Sequence, residues 1–258
     1  MGVVDYTTAE LVAVMAAREL EDRKTIFVGA GLPLISAALA QKTHAPDLTI
    51  IFEGGAVAPL IHPTLIPYST NEARATRSAI MVSSPSDLFA LQQRGYIDYG
   101  FLGGAQIDKY GNINTSVIGE YDHPKVRLPG TGGANDIAST CTETIIATHH
   151  EKRRFVEKLD FLSSPGYLGG AGSREEAGII FGKPSKVVSH LCVMDYDPES
   201  GLMRVRKLHQ GVSIEDVFEN TGFRPLVAEK VEVTSPPTHE ELQILRALDP
   251  EGLYVAHP

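Results

Sequence analysis

The chain has 258 residues, 43% of them hydrophobic and 21% charged, which is typical of a globular protein with a sizeable core. Its formal net charge of −9 argues against nucleic-acid binding and against attachment to anionic membranes. We expect a cytoplasmic protein, because no apolar stretch reaches the roughly 18 residues of a membrane span and the first residues do not resemble a signal peptide. Cys141 and Cys192 lie far apart in the sequence, which predicts neither a disulfide framework nor a metal site.

The first half of the sequence predicts helices that alternate with strands. Thr7 and Glu10 have the spacing of a capping box, and apolar residues at helical spacing follow from Ala9 to Leu20. "TIFVGAGLPL" (Thr25–Leu34) predicts a strand, a glycine turn and the start of a helix with proline in its first turn. "LTIIFEGG" then predicts a second strand, which ends at an unusual glutamate.

The same alternation continues to the end of the chain. The pattern predicts strands at Ser78–Ser83, Ile97–Gly104, Glu143–His150 and Lys186–Asp195, a hairpin through "YDPESG", and helices at Pro85–Arg94, Ser213–Gly222 and Glu240–Leu248. Such alternation is typical of an α/β fold with an open, mostly parallel sheet and helices on both faces. No linker or repeat divides the sequence, so we predict a single domain over residues 1–258.

Glu53 is the first candidate for chemistry, because it directly follows a short apolar run that reads as a buried strand. Three interpretations fit the residues alone: an exposed glutamate at the mouth of a loop, a general base, or a carboxylate nucleophile. A strand end followed by Gly54 and Gly55 suits a nucleophile, because residues without a Cβ leave space beside the carboxylate. Periodicity does not decide among the three.

Four glycine-rich segments fall where ligands bind in open α/β folds, after predicted strands or loops. They are "VGAGLP", "FEGGA", "FLGGAQ" and "PGTGGAN" (Pro129–Asn135). Glycines let backbone N–H groups approach an anion, although none of these segments matches a nucleotide-binding signature and each is also compatible with a simple tight turn.

Other polar residues form no complete catalytic pattern. The histidine candidates are His62, His123, His149 and His150, and no G-x-S-x-G motif accompanies them. Lys152, Arg153 and Arg154 could reach a phosphate, although a solvated basic turn explains them more simply. Asp108, Asn112 and Asn114 read first as turn formers and second as residues that orient a substrate.

Several of these segments, taken together and in order, resemble the β subunit of family I coenzyme A transferases of the glutaconate CoA-transferase type. The segments that carry the resemblance are "VGAGLPL", "IIFEGG", "FLGGAQIDKYGNINTSVIG", "PGTGGAND", "HEKRRFVEKLDFLSSPGY" and "GVSIEDVFENTGF". They cover most of the chain. The resemblance implies an open α/β fold shared with sugar-phosphate isomerases.

The resemblance also implies a reaction and a set of site residues. Glu53 would be the catalytic nucleophile that attacks an acyl-CoA thioester and then carries CoA as a glutamyl thioester. Gly132, Gly133, Ala134 and Asn135 would bind CoA and the oxyanion, and Gly29, Gly31, Gly54 and Gly55 would line the substrate pocket. The expected substrates are a small dicarboxylic acyl-CoA and a carboxylic acid. CoA would therefore be a substrate rather than a resident cofactor. The expected partner is a separate α subunit in an α₂β₂ assembly, with no metal.

The sequence departs from the family pattern beside the expected nucleophile, where many members have Ser-Glu-Asn-Gly and this chain has Phe52-Glu53-Gly54-Gly55. A lost side chain there could widen the pocket and remove a hydrogen bond. Two alternatives to CoA transfer therefore stay open. One is a hydrolase or decarboxylase of CoA thioesters in which Glu53 acts as base or positioning group. The other is a non-catalytic, effector-binding role.

Overall fold

The computed structural model describes residues 5–63 and 65–256. The chain divides into two compact units, Met1–Phe101 with Pro236–Pro258 and Leu102–Ser235. The single domain expected from the sequence stays a prediction. Every helix among the described residues is too short or too polar to cross a lipid bilayer.

The helices and strands of the described residues are numbered along the chain. The helices are α1 (Thr8–Arg18), α2 (Leu32–Lys42), α3 (Pro85–Gln93), α4 (Ala134–Thr140), α5 (Ser173–Glu176), α6 (Ile214–Glu219) and α7 (His239–Leu248). The strands are β1 (Thr25–Phe27), β2 (Thr49–Ile51), β3 (Ala56–Val57), β4 (Met81–Val82), β5 (Tyr99–Leu102), β6 (Gln106–Ile107), β7 (Ile113–Asn114), β8 (Val117–Gly119), β9 (Pro124–Arg127), β10 (Glu143–Ala147), β11 (Lys183–Val188), β12 (Cys192–Tyr196), β13 (Met203–Leu208) and β14 (Leu226–Val233).

Helices α1, α2 and α7 pack on one another in the first unit. The predicted capping box of α1 is present, since Thr7 and Glu10 exchange hydrogen bonds at its N-terminus. Two bidentate ion pairs then join α1 to α7: Arg18 donates to Glu241, and Arg246 donates to the buried carboxylate of Glu10. Bidentate arginine pairs fix orientation as well as distance, so α7 is held in one register on α1.

The strands of the first unit lie in the order β5-β1-β2-β3-β4. β1 pairs in parallel with both β2 and β5, whereas β3 and β4 continue the sheet as antiparallel strands. The middle strands are apolar because they are buried on both faces. β4 is different, because Ile80, Met81 and Val82 are all exposed, Ile80 by 84%.

The strands of the second unit lie in the order β14-β13-β12-β11-β10. β10 pairs in parallel with β11, which is followed by the antiparallel pairs β11–β12 and β12–β13, and β14 adds in parallel to β13. Two small antiparallel hairpins, β6–β7 and β8–β9, complete the unit. The predicted α/β class, with an open sheet built on parallel strands and antiparallel additions near residues 186–209, is confirmed.

The structure divides one predicted strand in two and adds strands that were not predicted, which are β3, β6 to β9 and β14. Lys186–Asp195 is not a single strand, because Ser189 turns the chain between β11 and β12: its hydroxyl oxygen accepts from the backbone N–H groups of Leu191 and Cys192, both at 3.2 Å. β14 was not predicted, because its side chains are largely exposed and only Ala228 is buried. Backbone pairing to β13, rather than an apolar face, holds it in the sheet.

Candidate active site

Glu53 lies in a tight turn between β2 and β3. Phe52 is completely buried, its N–H donates to the carbonyl of Ala56, and its own carbonyl accepts from the N–H of Gly55, both at 2.9 Å. Glu53 and Gly54 are therefore the two central residues of the turn. The apolar strand ends where the sequence predicted, and its end holds Glu53 on a backbone that is hydrogen-bonded on both sides.

Gly54 and Gly55 are required by close packing. A Cβ on Gly54 would lie 2.2 Å from the carbonyl oxygen of Thr70 and 2.4 Å from Oδ1 of Asn71. A Cβ on Gly55 would lie 2.2 Å from the carbonyl oxygen of Ser83, and Gly55 has a φ of +118°, which glycine adopts readily. The sequence suggested free space beside Glu53, but backbone atoms of Thr70 and Ser83 and the side chain of Asn71 fill it and pack against the turn.

Gly29 and Gly31 lie after the neighbouring strand. β1 and β2 are parallel with Phe27 opposite Ile51, and the N–H of Val28 donates to the carbonyl of Ile51 at 3.1 Å. Continuing this register places Gly29 level with Glu53 at the same edge of the sheet. No heavy atom lies within 4 Å of a Cβ on Gly29, and Gly31 meets only Tyr254 at 3.7 Å. Gly29, unlike Gly54, therefore faces open space.

The Glu53 carboxylate is half-buried and forms no hydrogen bond or ion pair with the described residues. Burial raises the pKa of the Glu53 carboxyl above its usual range, because loss of water disfavours the charged form. A carboxylate that lacks compensating partners is more basic and more nucleophilic than a solvated one. Perturbed carboxylates of this kind concentrate at functional sites.

The segment Gly132–Asn135 lies in the second unit, at the start of α4. Gly132 has a φ of +50°, Gly133 caps the helix, and the N–H of Ala134 donates to the carbonyl of Thr131 at 2.9 Å. Within the described residues, the N–H groups of Gly132 and Gly133 make no hydrogen bond. Asn135 donates through Nδ2 to the carbonyl of Ser163 at 3.0 Å. The turn is anchored on one side and leaves two backbone donors available.

The opposite end of α4 is held by Arg174, which sequence reasoning missed. The side chain is buried and donates to the carbonyl oxygens of five residues: Ala138, Ser139, Pro165, Gly166 and Phe181. Burial lowers the pKa of the Arg174 guanidinium. Arginine is common at surfaces, and only the fold shows that this one satisfies carbonyls that α4 and its neighbouring loop leave unpaired.

Asp108, Asn112 and Asn114 shape the β6–β7 hairpin. The Asp108 carboxylate accepts from the backbone of Tyr110 and Asn112 and from the Asn112 amide, and burial raises the pKa of the Asp108 carboxyl despite these bonds. Asn112 also bonds the backbone of Gly166 and Leu168. Asp108 and Asn112 are turn formers, as predicted, and Asn112 additionally holds the distant loop at Gly166 and Leu168, while Asn114 donates to Gln106 and to the carbonyl of Val117.

The histidine candidates divide between solvent and core. His62, His123 and His149 are exposed, whereas His150 is buried between Ser189 and Thr221, with both nitrogen–oxygen distances at 2.9 Å. Thr221 donates to the carbonyl of Val217, so it accepts from Nε2–H of His150. Burial lowers the pKa of His150 to about 3. A neutral histidine with both nitrogens satisfied serves the fold.

The three basic residues after His150 do not form one solvated turn. Lys152 and Arg153 are exposed, and Nε of Arg153 is 2.5 Å from the Glu151 carboxylate. Arg154 points inward and donates to the carbonyl of Gly104. One of the three is therefore available to the interior of the second unit, which the sequence alone did not distinguish.

Comparison with known proteins agrees with this architecture. The family model described as Coenzyme A transferase matches residues 9–220. The B-type subunit of the 3-oxoadipate CoA-transferase of Pseudomonas knackmussii is 42% identical over 95% of this chain and 94% of its own length. The B-type subunit of the glutaconate CoA-transferase of Acidaminococcus fermentans is 36% identical over 98% of this chain and 97% of its own. The crystal structure of that enzyme superposes with a TM-score of 0.92, with 34% identity and full coverage of both chains.

The similarity extends to a subunit of a hydrolase. The cholesterol ring-cleaving hydrolase IpdB subunit of Rhodococcus jostii is 30% identical over 97% of this chain and 96% of its own length. The family model matches most of the chain, and the full-length relatives are at least 30% identical to it. Both findings agree with the resemblance found in the sequence. The chain belongs to the coenzyme A transferase family.

Proposed function

We propose that this chain is the β subunit of a CoA-transferase, and that Glu53 is the nucleophile which carries CoA between two carboxylic acids. The single observation that carries the proposal is the half-buried, unpartnered Glu53 carboxylate on a rigid turn at a strand end. Two of the full-length relatives, with 42% and 36% identity, are B-type subunits of CoA-transferases. Because those relatives are one of two subunit types, we expect a separate α subunit as partner, in an α₂β₂ assembly.

The chemistry follows from a carboxylate nucleophile. Glu53 attacks the thioester carbonyl, which releases CoA thiolate and leaves an acyl-glutamyl anhydride. The thiolate attacks the glutamyl carbonyl, so the first acid leaves and a glutamyl-CoA thioester forms. The acceptor carboxylate attacks this thioester and expels the thiolate, which then attacks the new acyl carbonyl and regenerates Glu53. Each step exchanges one acyl bond for another and needs no redox partner.

Gly132 and Gly133 are proposed as donors to the oxyanion of these steps, and Ala134 and Asn135 as part of the CoA-binding segment. Their support is the family resemblance together with the two unpaired backbone N–H groups. One such donor is worth roughly 3 kcal/mol in acyl-transfer enzymes. On the substrate side, Gly29 is proposed to face the acyl group, because open space surrounds it, with Gly31 beside it.

The substrate is proposed to be a small dicarboxylic acyl-CoA, because glutaconate and 3-oxoadipate, the acids in the names of two relatives, are both dicarboxylates. CoA is then a substrate that enters and leaves with each turnover. We propose no resident cofactor and no metal in the reaction.

Trapping of the intermediate tests the proposal. The complex with the α subunit is incubated with glutaryl-CoA without acceptor, then treated with borohydride or hydroxylamine, and peptides are analysed by mass spectrometry. We expect inactivation and a modification at Glu53 only. Glu21→Gln, at an exposed glutamate of the same unit, is the control and should be trapped like the wild type. Full retention of activity without a Glu53 adduct would falsify covalent transfer.

Hydrolysis or decarboxylation on the same scaffold is the second candidate, favoured by the hydrolase relative that matches 97% of this chain. Glu53 would then act as a base for water or as a positioning group. Release of free CoA or carbon dioxide in the absence of any acceptor acid supports this candidate, whereas a strict requirement for an acceptor excludes it.

A further inference from the structure

The second unit contains an open pocket of about 320 Å³ beside Arg154. Its wall is formed by Gly103–Ala105 after β5, by Thr115, by Leu128–Gly130 and by Arg154. This volume lies within the range of small-molecule sites, and it exceeds by about tenfold the volume of one water. The pocket is thus large enough for part of a substrate.

Two side-chain atoms of this wall have no hydrogen-bond partner among the described residues. Nε of Arg154 and Oγ1 of Thr115 are both buried and form no hydrogen bond. Arg154 uses one donor on the carbonyl of Gly104, and no carboxylate among the described residues pairs with it. Glu151, three residues earlier, is bonded to Arg153 instead. A buried donor without a hydrogen bond lowers the stability of the fold. A ligand that accepts hydrogen bonds from these two atoms would explain why the protein keeps them.

The backbone around Arg154 is rigid. Its N–H donates to the carbonyl of Glu151 at 2.8 Å and its carbonyl accepts from the N–H of Ile107 at 2.7 Å. Among the glycines of the wall, a Cβ on Gly103 would have its nearest contact at 3.9 Å and a Cβ on Gly130 would have none within 4 Å, whereas one on Gly104 would meet Ile113 at 2.4 Å. The pocket wall thus combines a cationic side chain on a hydrogen-bonded backbone with two glycines that leave room for a ligand.

The pocket adjoins the segment assigned to CoA and the oxyanion. Ser163 links the two: its Oγ accepts from the N–H of Thr115 at 2.9 Å, and its carbonyl accepts from Nδ2 of Asn135 at 3.0 Å. In addition, the N–H of Gly130 donates to the carbonyl of Thr115 at 2.9 Å. One hydrogen-bonded frame thus holds both the pocket and the glycine segment.

From this arrangement we infer that Arg154 and Thr115 bind the free carboxylate of a dicarboxylic acyl group and make the enzyme select such substrates. The inference rests on the proposed CoA transfer. A carboxylate carries one negative charge and matches the one guanidinium of the pocket, whereas a phosphate group carries about −1.5 to −2 and no second cation lines the wall among the described residues. The orphan hydroxyl of Thr115 supplies a further donor.

Substrate pairs of equal chain length test the assignment. In the complex with the α subunit, Arg154→Gln should lower kcat/KM for glutaryl-CoA by about 10- to 100-fold, the usual effect of losing charge-assisted hydrogen bonds. Activity with pentanoyl-CoA, which lacks the second carboxylate, should stay unchanged. Arg153→Gln removes the same charge one residue away at an exposed site and should change neither activity. Equal losses with both substrates would overturn the assignment.

Thr115→Val provides a variant whose folding is not at risk, because it replaces an unpartnered buried hydroxyl by a methyl group of similar size. We expect an unchanged or higher melting temperature together with a severalfold loss of kcat/KM for glutaryl-CoA alone. Unchanged selectivity in Thr115→Val, with the protein folded, would contradict a role for this hydroxyl in binding.

Direct binding separates this inference from the proposed reaction. Titration calorimetry of the complex with glutarate, pentanoate and inorganic phosphate should show glutarate binding that depends on Arg154. If the wild type transfers no CoA but still binds glutarate through Arg154, the reaction is wrong and the pocket assignment stands. The carboxylate assignment is wrong if glutarate binds no more tightly than pentanoate. It is also wrong if Arg154→Gln weakens the binding of phosphate rather than that of glutarate.

Discussion

Burial shifts the pKa of both Glu53, which is half-buried, and His150, which is fully buried, yet their hydrogen-bond surroundings differ. His150 has a hydroxyl at each ring nitrogen and stacks on Phe155, with ring centroids 4.2 Å apart. Glu53 has no partner among the described residues, and its nearest neighbours in the chain are a buried phenylalanine and two glycines. The protein itself provides hydrogen-bond partners for His150, whereas the Glu53 carboxylate remains available to a ligand.

This difference distinguishes structural burial from functional burial. A polar group whose hydrogen bonds are all made stabilises the fold, and its removal leaves unpaired partners behind. A carboxylate buried without partners destabilises the fold, so selection retains it only for its chemistry. The following predictions test this distinction, from the largest expected effect to the smallest.

Replacement of Glu53 should have the largest effect, and on activity alone. Glu53→Gln keeps the shape of the side chain but removes the nucleophile, so CoA transfer should fall by about 10³-fold or more. Because burial raises the pKa of the Glu53 carboxyl, the charged form opposes folding at neutral pH, and the melting temperature of Glu53→Gln should be equal to or above that of the wild type. A marked loss of stability would show that Glu53 has a structural partner, and it would contradict the difference drawn between Glu53 and His150.

A methyl group at Gly54 should disrupt the turn that holds Glu53. The Cβ of Gly54→Ala would meet the carbonyl oxygen of Thr70 at 2.2 Å, so we expect a loss of about 3 kcal/mol in the free energy of unfolding. Gly29→Ala is the matched control, because nothing lies within 4 Å of its Cβ, and it should stay within about 0.5 kcal/mol of the wild type. Urea unfolding measures both, and equal stability of the two variants would contradict the packing described here.

His150 should make the stability depend on pH. Its pKa of about 3 in the fold lies below the ordinary value of 6.5, so its contribution to stability is complete above pH 6.5 and is lost as the pH falls towards 3. The loss approaches roughly 1.4 kcal/mol for each pH unit in that window.

The variant His150→Gln should unfold more readily at pH 7, by about 2 kcal/mol, and should show a shallower decline between pH 6.5 and 4. Part of the decline remains in this variant, because burial also lowers the pKa of half-buried His190 to about 4. Activity per folded molecule at pH 7 should not change. A loss of turnover in folded His150→Gln would place the histidine in the reaction.

The cysteines should show the smallest effect. Both are buried, and burial raises the pKa of the Cys192 thiol to about 12. Since only the thiolate reacts, iodoacetamide at about pH 8 should label neither cysteine in the folded protein but both in urea. Sγ of Cys192 lies 3.9 Å from Nδ1 of His150, so rapid labelling of native Cys192 would mean that the surroundings of His150 open to solvent.

The sequence predicted those features that depend on neighbouring residues. The capping box of Thr7 and Glu10 needs only three residues of separation, and the end of the strand at Phe52 follows from an apolar run that stops at a charge. The turn at Ser189 was missed, because a side chain that bonds the backbone two and three residues on leaves little trace in an apolar pattern.

Features that depend on contacts between distant segments could not be predicted from the sequence. The sequence shows that Gly54 and Gly55 are adjacent to Glu53, but not that Thr70 and Ser83 occupy the space beside them. Likewise, three consecutive basic residues give no sign that Arg154 alone turns towards a pocket. In both cases the decisive contact joins residues far apart in sequence, and only the fold brings them together.

The exposed edge strand β4 has a mechanical consequence for the turn that carries Glu53. The N–H of Ser83, directly after β4, donates to the carbonyl of Gly55 at 2.9 Å. This hydrogen bond connects the end of the edge strand to the turn that carries Glu53. The rate of amide hydrogen exchange at Ser83 therefore reports how often this hydrogen bond opens, and so how firmly the turn that carries Glu53 is held.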